Sequence, residues 1–431
     1  MKKVLFLIVV SFITQLLVIS NSNATALSLT NTEQSLELDD GSEFTYQHFA
    51  AKKFTKPSSN TNTVALWILP SYPHQQRFYE FSQRLSDNGI EVWMVNILDD
   101  LFMPKGISST RKLTGKYVAK LIKKMHQKTN KNVILIAESY SAIPVLRGAQ
   151  QWQMSQPAKR YLTGAVLFSP NLFEAIPSLG MKPKFVDVAA YTNIPILLLQ
   201  SEKSNTRGQL KQLLSNLEKN NASVFTSMLK NTIAIFYRED KTPETLQYLT
   251  TLPKKIATSL PLLESSPLPL FSKKINIKIK KTVPLDSELK KYKAKNQPLN
   301  INLKTVFGKQ FKRSNYKGKI TIVNFWATWC KPCLEEIPSL NRLKKIMKDK
   351  PFEIISINYA EKPEQIKQFM KTTKIDFPVL IDESGDQAVK WHVFAFPSTF
   401  VIAPDGKFHY GVNASIFWDS PEVISVLNDL Y

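Results

Sequence analysis

The sequence predicts an α/β protein of two domains, each a largely parallel sheet flanked by helices. Three observations carry that expectation. Between residues 27 and 252, short apolar runs alternate with stretches of helical spacing. From Pro253 to Gln297 prolines and lysine clusters replace the apolar runs, as in an interdomain linker. From Pro298 to Tyr431 a second strand–helix alternation begins. The 431 residues suffice for two or three domains. At 43% hydrophobic and 21% charged, the composition excludes a disordered chain and a polytopic membrane protein.

The elements follow in order. Leu36 to Ala51 has the pattern of a strand pair turned at Asp40-Gly41. Val64 to Leu69 is a buried apolar strand, Phe78 to Asn88 a helix ended by Gly89, and Ile90 to Ile97 another strand. Thr114 to Lys128 has helical spacing. Val133 to Ala137 is a strand, and a turn of small residues leads into a helix from Ala142. Ala165 to Phe168 and Ile196 to Gln200 are apolar strands whose continuous runs fit a sheet covered on both faces. Within the linker, Ile275 to Ile279 has the pattern of a local strand. In the second domain, Ile320 to Ala327 is a strand, Leu334 to Met347 a helix, Phe352 to Asn358 a strand and Pro363 to Thr372 a helix. Val379 to Ile381 is a short strand. Thr399 to Ile402 and Lys407 to Tyr410 form a hairpin around Asp405-Gly406, and Pro421 opens a closing helix to Leu430.

The first 26 residues have the pattern of an export signal. Lys2 and Lys3 precede an apolar run from Val4 to Ile19, and Ala24-Thr25-Ala26 fits a cleavage site. The run is short for a spanning helix and carries Gln15, so cleavage after Ala26 is expected rather than a membrane anchor. No cysteine follows it to take a lipid. The mature chain is expected in an exported, oxidising compartment, the periplasm. The net charge of +22 is spread along the chain and carries no nucleic-acid motif. It allows electrostatic contact with membrane or cell wall.

The chain has two cysteines, Cys330 and Cys333. A Cys-x-x-Cys pair closes too short a loop to staple a fold. A structural zinc site needs two further ligands, and no second such pair or paired histidine is present. Thiol–disulfide exchange is the remaining chemistry, with the pair itself as the redox group and no other cofactor or metal. At a strand-to-helix junction, orphan backbone N–H groups and the helix dipole favour an anion, and Lys331 adds a positive charge. Cys330 is therefore expected to ionise below the free-thiol value of ~8.5 and to attack. Cys333, one turn on, is expected to resolve the mixed disulfide, and Pro332 to fix the turn.

The run Trp326-Ala327-Thr328-Trp329-Cys330-Lys331-Pro332-Cys333-Leu334-Glu335-Glu336-Ile337-Pro338 resembles the active-site segment of the TlpA/ResA-like thioredoxins, exported thiol–disulfide oxidoreductases. The resemblance covers about Pro298 to Tyr431 and implies a thioredoxin fold there. It implies that Phe396-Pro397-Ser398-Thr399 is a cis-proline loop lying against the cysteines. It gives Glu336 a part in proton transfer. Trp326 and Trp329 are expected to serve packing and access together, and Trp329, Lys331, Pro332, Phe396 and Pro397 to bind substrate and support the site. Asn324 stands where ordinary thioredoxins carry a buried aspartate. The resemblance further implies a reductase of oxidised exported proteins, apocytochrome c among them, recharged by a membrane thiol–disulfide carrier.

Residues 27–252 resemble an α/β-hydrolase domain. Val133 to Ala142 falls where that family has its strand–elbow–helix, with Ser139 as the nucleophile position and Ala137 and Ser141 replacing the two glycines. Glu202, after the Ile196 to Gln200 strand, is an imperfect candidate acid. The base belongs after the acid in this order, yet His48, His74 and His126 all precede it, while His392 and His409 fall in the other domain. A non-catalytic module is therefore expected. Two other readings stay open: a serine hydrolase using Ser139 with a redox appendage, and a binding or scaffold protein whose thiol pair is regulatory.

Overall fold

The computed structural model describes residues 27–52, 62–70, 76–156, 159–237, 240–267, 288–295 and 298–431. The export signal, His74 and the strand expected at Ile275 to Ile279 lie outside these residues. The first domain is built on an eight-stranded sheet: β1 (Thr32–Glu37), β2 (Glu43–Phe49), β3 (Thr63–Ile68), β4 (Glu91–Val95), β5 (Asn132–Glu138), β6 (Leu162–Phe168), β7 (Ile196–Ser201) and β8 (Val224–Leu229). Their spatial order is β1-β2-β4-β3-β5-β6-β7-β8. β1 and β2 are antiparallel, β2 runs antiparallel to β4, and the pairs from β4 to β8 are parallel.

The pleat sorts successive side chains onto opposite faces. Along β3, Val64, Leu66 and Ile68 enter one core, and Ala65 and Trp67 enter the other. The first core packs under the helices Lys116–Thr129 and Ala142–Ser155; the second packs under Gln76–Asp87 and Pro243–Glu264. This two-sided burial explains why the central strands are continuous apolar runs.

The expected boundary at Leu252 is corrected. Pro243–Glu264 is one helix, capped by Thr242, whose hydroxyl accepts from the Thr245 amide at 3.2 Å. Pro253 and Pro261 lie inside it. An interior proline costs about 3 kcal/mol of helix stability. Burial of Leu252, Ile256, Leu260 and Leu263 against the sheet offsets it. Lys290–Lys291, also assigned to the linker, is β9, an edge strand of the second sheet.

That second sheet follows a two-residue ladder, β10 (Leu303–Lys304) with β11 (Gln310–Phe311). Its other strands are β12 (Ile320–Trp326), β13 (Phe352–Tyr359), β14 (Val379–Asp382), β15 (Ser398–Ile402) and β16 (Phe408–Val412). The order is β14-β13-β12-β15-β16-β9, parallel from β12 to β14 and antiparallel from β12 through β15 and β16 to β9. β12 is buried throughout and puts its carboxyl end at the helix Lys331–Ile346.

The domains meet along a polar and apolar seam. The segments after β6 and β7 supply most of the first domain's side of it. Asn205 donates to the Phe394 carbonyl at 2.8 Å, Asn413 to the Pro177 carbonyl at 3.0 Å, and His392 Nδ1 to the Gly180 carbonyl at 3.2 Å. Arg207 pairs with Asp386. Leu179 joins the core of the second domain.

Candidate functional site

β12 ends at Trp326, and four residues later Cys330 caps the helix Lys331–Ile346. Its Sγ accepts from the Cys333 amide at 3.3 Å, so the sulfur already occupies the anion position of the helix N-terminus. Pro332 falls in the first turn, where its missing N–H leaves no bond unmade. The two sulfurs are joined in a disulfide. Cys330 is 6% exposed and Cys333 1%. Cys330 is thus the more accessible of the two sulfurs. Lys331 and Pro332 are exposed beside it, and Trp329 is half-buried.

Glu336, one turn beyond Cys333, is 1% exposed. Burial pushes its carboxyl up to about 8, against the opposing effect of hydrogen bonds from Trp418, Asn324 and the Ile416 amide. Trp418 Nε1 donates at 3.1 Å and Asn324 Nδ2 at 2.7 Å. Asn324 also donates to Thr399 Oγ1 at 2.9 Å, which ties helix and central strand to β15. In the loop just before β15 the Phe396–Pro397 bond is cis. The Phe396 ring lies 5.8 Å from Trp329 and 4.7 Å from Tyr359.

Two contributors escaped the sequence. Glu361 is buried, accepts from the Thr328 amide at 2.8 Å and from Asn358 at 2.7 Å, and takes the Thr328 hydroxyl as well. It thereby holds the turn that carries Trp329 and Cys330. Its signal was available: β13 runs parallel to β12 with Asn358 beside Trp326, so residues just past β13 arrive at the redox turn. Tyr237, from the first domain, stands edge-on to Trp329 with ring centroids 5.5 Å apart. No local pattern announces that contact.

Ser139 does lie in a strand–turn–helix. It follows β5 at φ +54°, a left-handed conformation unusual for a side-chain-bearing residue. Ser141, in place of a glycine, donates its hydroxyl to the Glu138 carbonyl at 2.8 Å and accepts from the Glu138 amide at 3.0 Å, which closes the turn. Among the described residues the expected partners do not assemble. Glu202 is held by the Asn231 amide at 2.8 Å and by Lys230 at 3.0 Å. His48 bonds Glu91, His126 the Lys131 carbonyl, His392 the Gly180 carbonyl and His409 Asp405. Among the described residues no three His, Cys, Asp or Glu side chains cluster to hold a metal ion.

Residues 294–410 match the AhpC/TSA family. The thioredoxin-like protein YneN of Bacillus subtilis is 38% identical over 113 residues, 26% of this chain and 65% of that one. The thiol–disulfide oxidoreductase ResA of Bacillus thuringiensis is 40% identical over 100 residues, 23% of this chain and 58% of its own. ResA of Bacillus subtilis is 36% identical over 108 residues, 25% and 60% of the two chains. This chain thus spans about three fifths of the length of the curated relatives it matches. Among solved structures, StoA from Bacillus subtilis aligns at 26% identity over 27% of this chain and 89% of its own, with a TM-score of 0.25. The segment matched to the AhpC/TSA family carries the Cys330–Cys333 disulfide, the cis Pro397 loop and buried Glu336: the C-terminal region of this chain contains an AhpC/TSA thioredoxin-like domain.

Proposed function

We propose that this protein is an exported thiol–disulfide oxidoreductase that reduces disulfides in other exported proteins. The observation that carries the reading is the placement of Cys330, outermost of the pair and capping a helix with its sulfur. In the reduced protein the Cys330 thiolate attacks one sulfur of a substrate disulfide. That bond breaks, the other substrate sulfur leaves as a thiolate, and a mixed disulfide forms. Cys333, deprotonated, then attacks the Cys330 sulfur and releases the second substrate thiol. The substrate gains two electrons and two protons, and the Cys330–Cys333 bond closes. A dithiol donor reverses that closure; a membrane thiol–disulfide carrier fits an exported protein, and apocytochrome c fits the substrate class. Glu336, one turn from the resolving sulfur, has its carboxyl raised by burial to about 8, and its ionised form takes the Cys333 thiol proton as that sulfur attacks. The first domain is read as a hydrolase-shaped module, without an assembled triad among its described residues, that positions the redox domain.

The test is direct. Cys330→Ser abolishes insulin-disulfide reduction, and Cys333→Ser accumulates mixed disulfides with natural substrates that mass spectrometry identifies. Turnover that survives the loss of Cys330 overturns the reading.

A further inference from the structure

We infer that the first domain forms a wall of the redox site, and that Tyr237 selects which disulfides reach Cys330. It favours those on extended, unfolded segments over those on folded surfaces. The inference rests on the oxidoreductase reading and adds a specificity element from outside the thioredoxin-like domain.

Trp329 precedes the attacking cysteine, and Phe396 precedes the cis proline. Their rings meet edge to face at 5.8 Å. Tyr237 then stands against the Trp329 ring at 5.5 Å, and so covers a flank of the dithiol with a residue of the other domain. The cover is built firmly. Arg77 donates to the carbonyls of Ile235 and Asp240, each at 3.0 Å, and to that of Tyr237. The Asp240 carboxylate in turn accepts from the Ile233 amide at 2.8 Å. On the Phe396 side, Tyr359 donates its hydroxyl to the Lys203 carbonyl, and Asn205 holds the Phe394 carbonyl. The first domain therefore grips both aromatic sides of the site.

Lys331 and Pro332 remain exposed, so approach is open over the start of the helix. A folded partner must lay a broad surface over the dithiol, and the Tyr237 segment obstructs it. A single extended strand needs only a slot.

The experiment uses the full chain, pre-reduced, in single-turnover reactions with two probes. One is a short unstructured peptide closed by a Cys-x-x-Cys disulfide; the other is folded insulin. The wild type reduces the peptide faster. Tyr237→Ala raises the insulin rate relative to the peptide rate by roughly fivefold, the equivalent of one lost aromatic contact, whereas Tyr237→Phe keeps the wild-type ratio. Asn205→Ala, which loosens the other side of the grip, moves the ratio in the same direction and guards against misfolding of the first variant. A ratio unchanged in both alanine variants, or a wild type that does not distinguish the probes, overturns the inference. A wild type inert to both probes sinks the oxidoreductase reading itself, and this proposal with it.

Discussion

Glu336→Gln isolates a buried proton. The wild-type carboxyl is 1% exposed, and burial raises it from an ordinary 4.5 to about 8, with Trp418, Asn324 and the Ile416 amide only partly restraining the rise. In the unfolded chain the same group ionises near 4.5. Below that pH both states hold the proton, and stability has no pH dependence from this group. Between 4.5 and about 8 the folded state holds a proton that the unfolded state has released, so stability falls as pH rises. The slope is about 1.4 kcal/mol per pH unit, or roughly 3 kcal/mol between about pH 5 and 7.5. Glutamine does not titrate. It also meets the Trp418 and Asn324 donors with one acceptor oxygen instead of two, a fixed cost of about 1–3 kcal/mol. Urea unfolding of oxidised wild type and variant, repeated across that range, separates the two effects. The fixed cost offsets the curves, and the proton tilts them: the variant gains on the wild type steadily as pH rises. A difference between the two that stays flat with pH refutes a buried carboxyl of raised pKa, and with it the basicity by which Glu336 takes the Cys333 proton in the resolving step.

Two further predictions address the seam and the first domain. A Cβ at Gly208 meets Val389 Cγ1 at 2.5 Å across the seam, so Gly208→Ala is expected to cost about 1–3 kcal/mol. Calorimetry then shows a lowered or split transition, and an unchanged transition denies the docking described above. The described histidines each bond another partner, so Ser139 is expected to resist a fluorophosphonate label, and Ser139→Ala to leave disulfide reduction unchanged. Labelling of the wild type that is lost in the alanine variant revives the hydrolase reading.

What the sequence made legible is what neighbours along the chain decide. The strand-to-helix junction at Cys330 was readable because a strand, a proline and the thiol spacing all fall within a dozen residues, although the helix begins at Lys331 rather than at the expected Leu334. The turn at Ser139 was readable for the same reason, even with Ser141 in place of glycine. β8 was missed because its residues are mostly half-exposed and lack the continuous apolar run that marks the inner strands. Pro253 misled because proline argues against a helix locally, whereas the burial that overrules it comes from strands far back in the chain. Glu336 lies at the boundary between the two cases. Its spacing puts it on the same side of the helix as Cys333, which the sequence shows. Its neutral state depends on Trp418, which arrives from 82 residues away, and on the closed core around it. Tyr237 lies wholly beyond that boundary. The ring that covers Trp329 belongs to another domain, and only the docked structure supplies it. The chemistry of this site is therefore written locally in the motif, whereas its selectivity is set by long-range contacts. Swapping the isolated motif into another thioredoxin-like domain should transfer the first and lose the second.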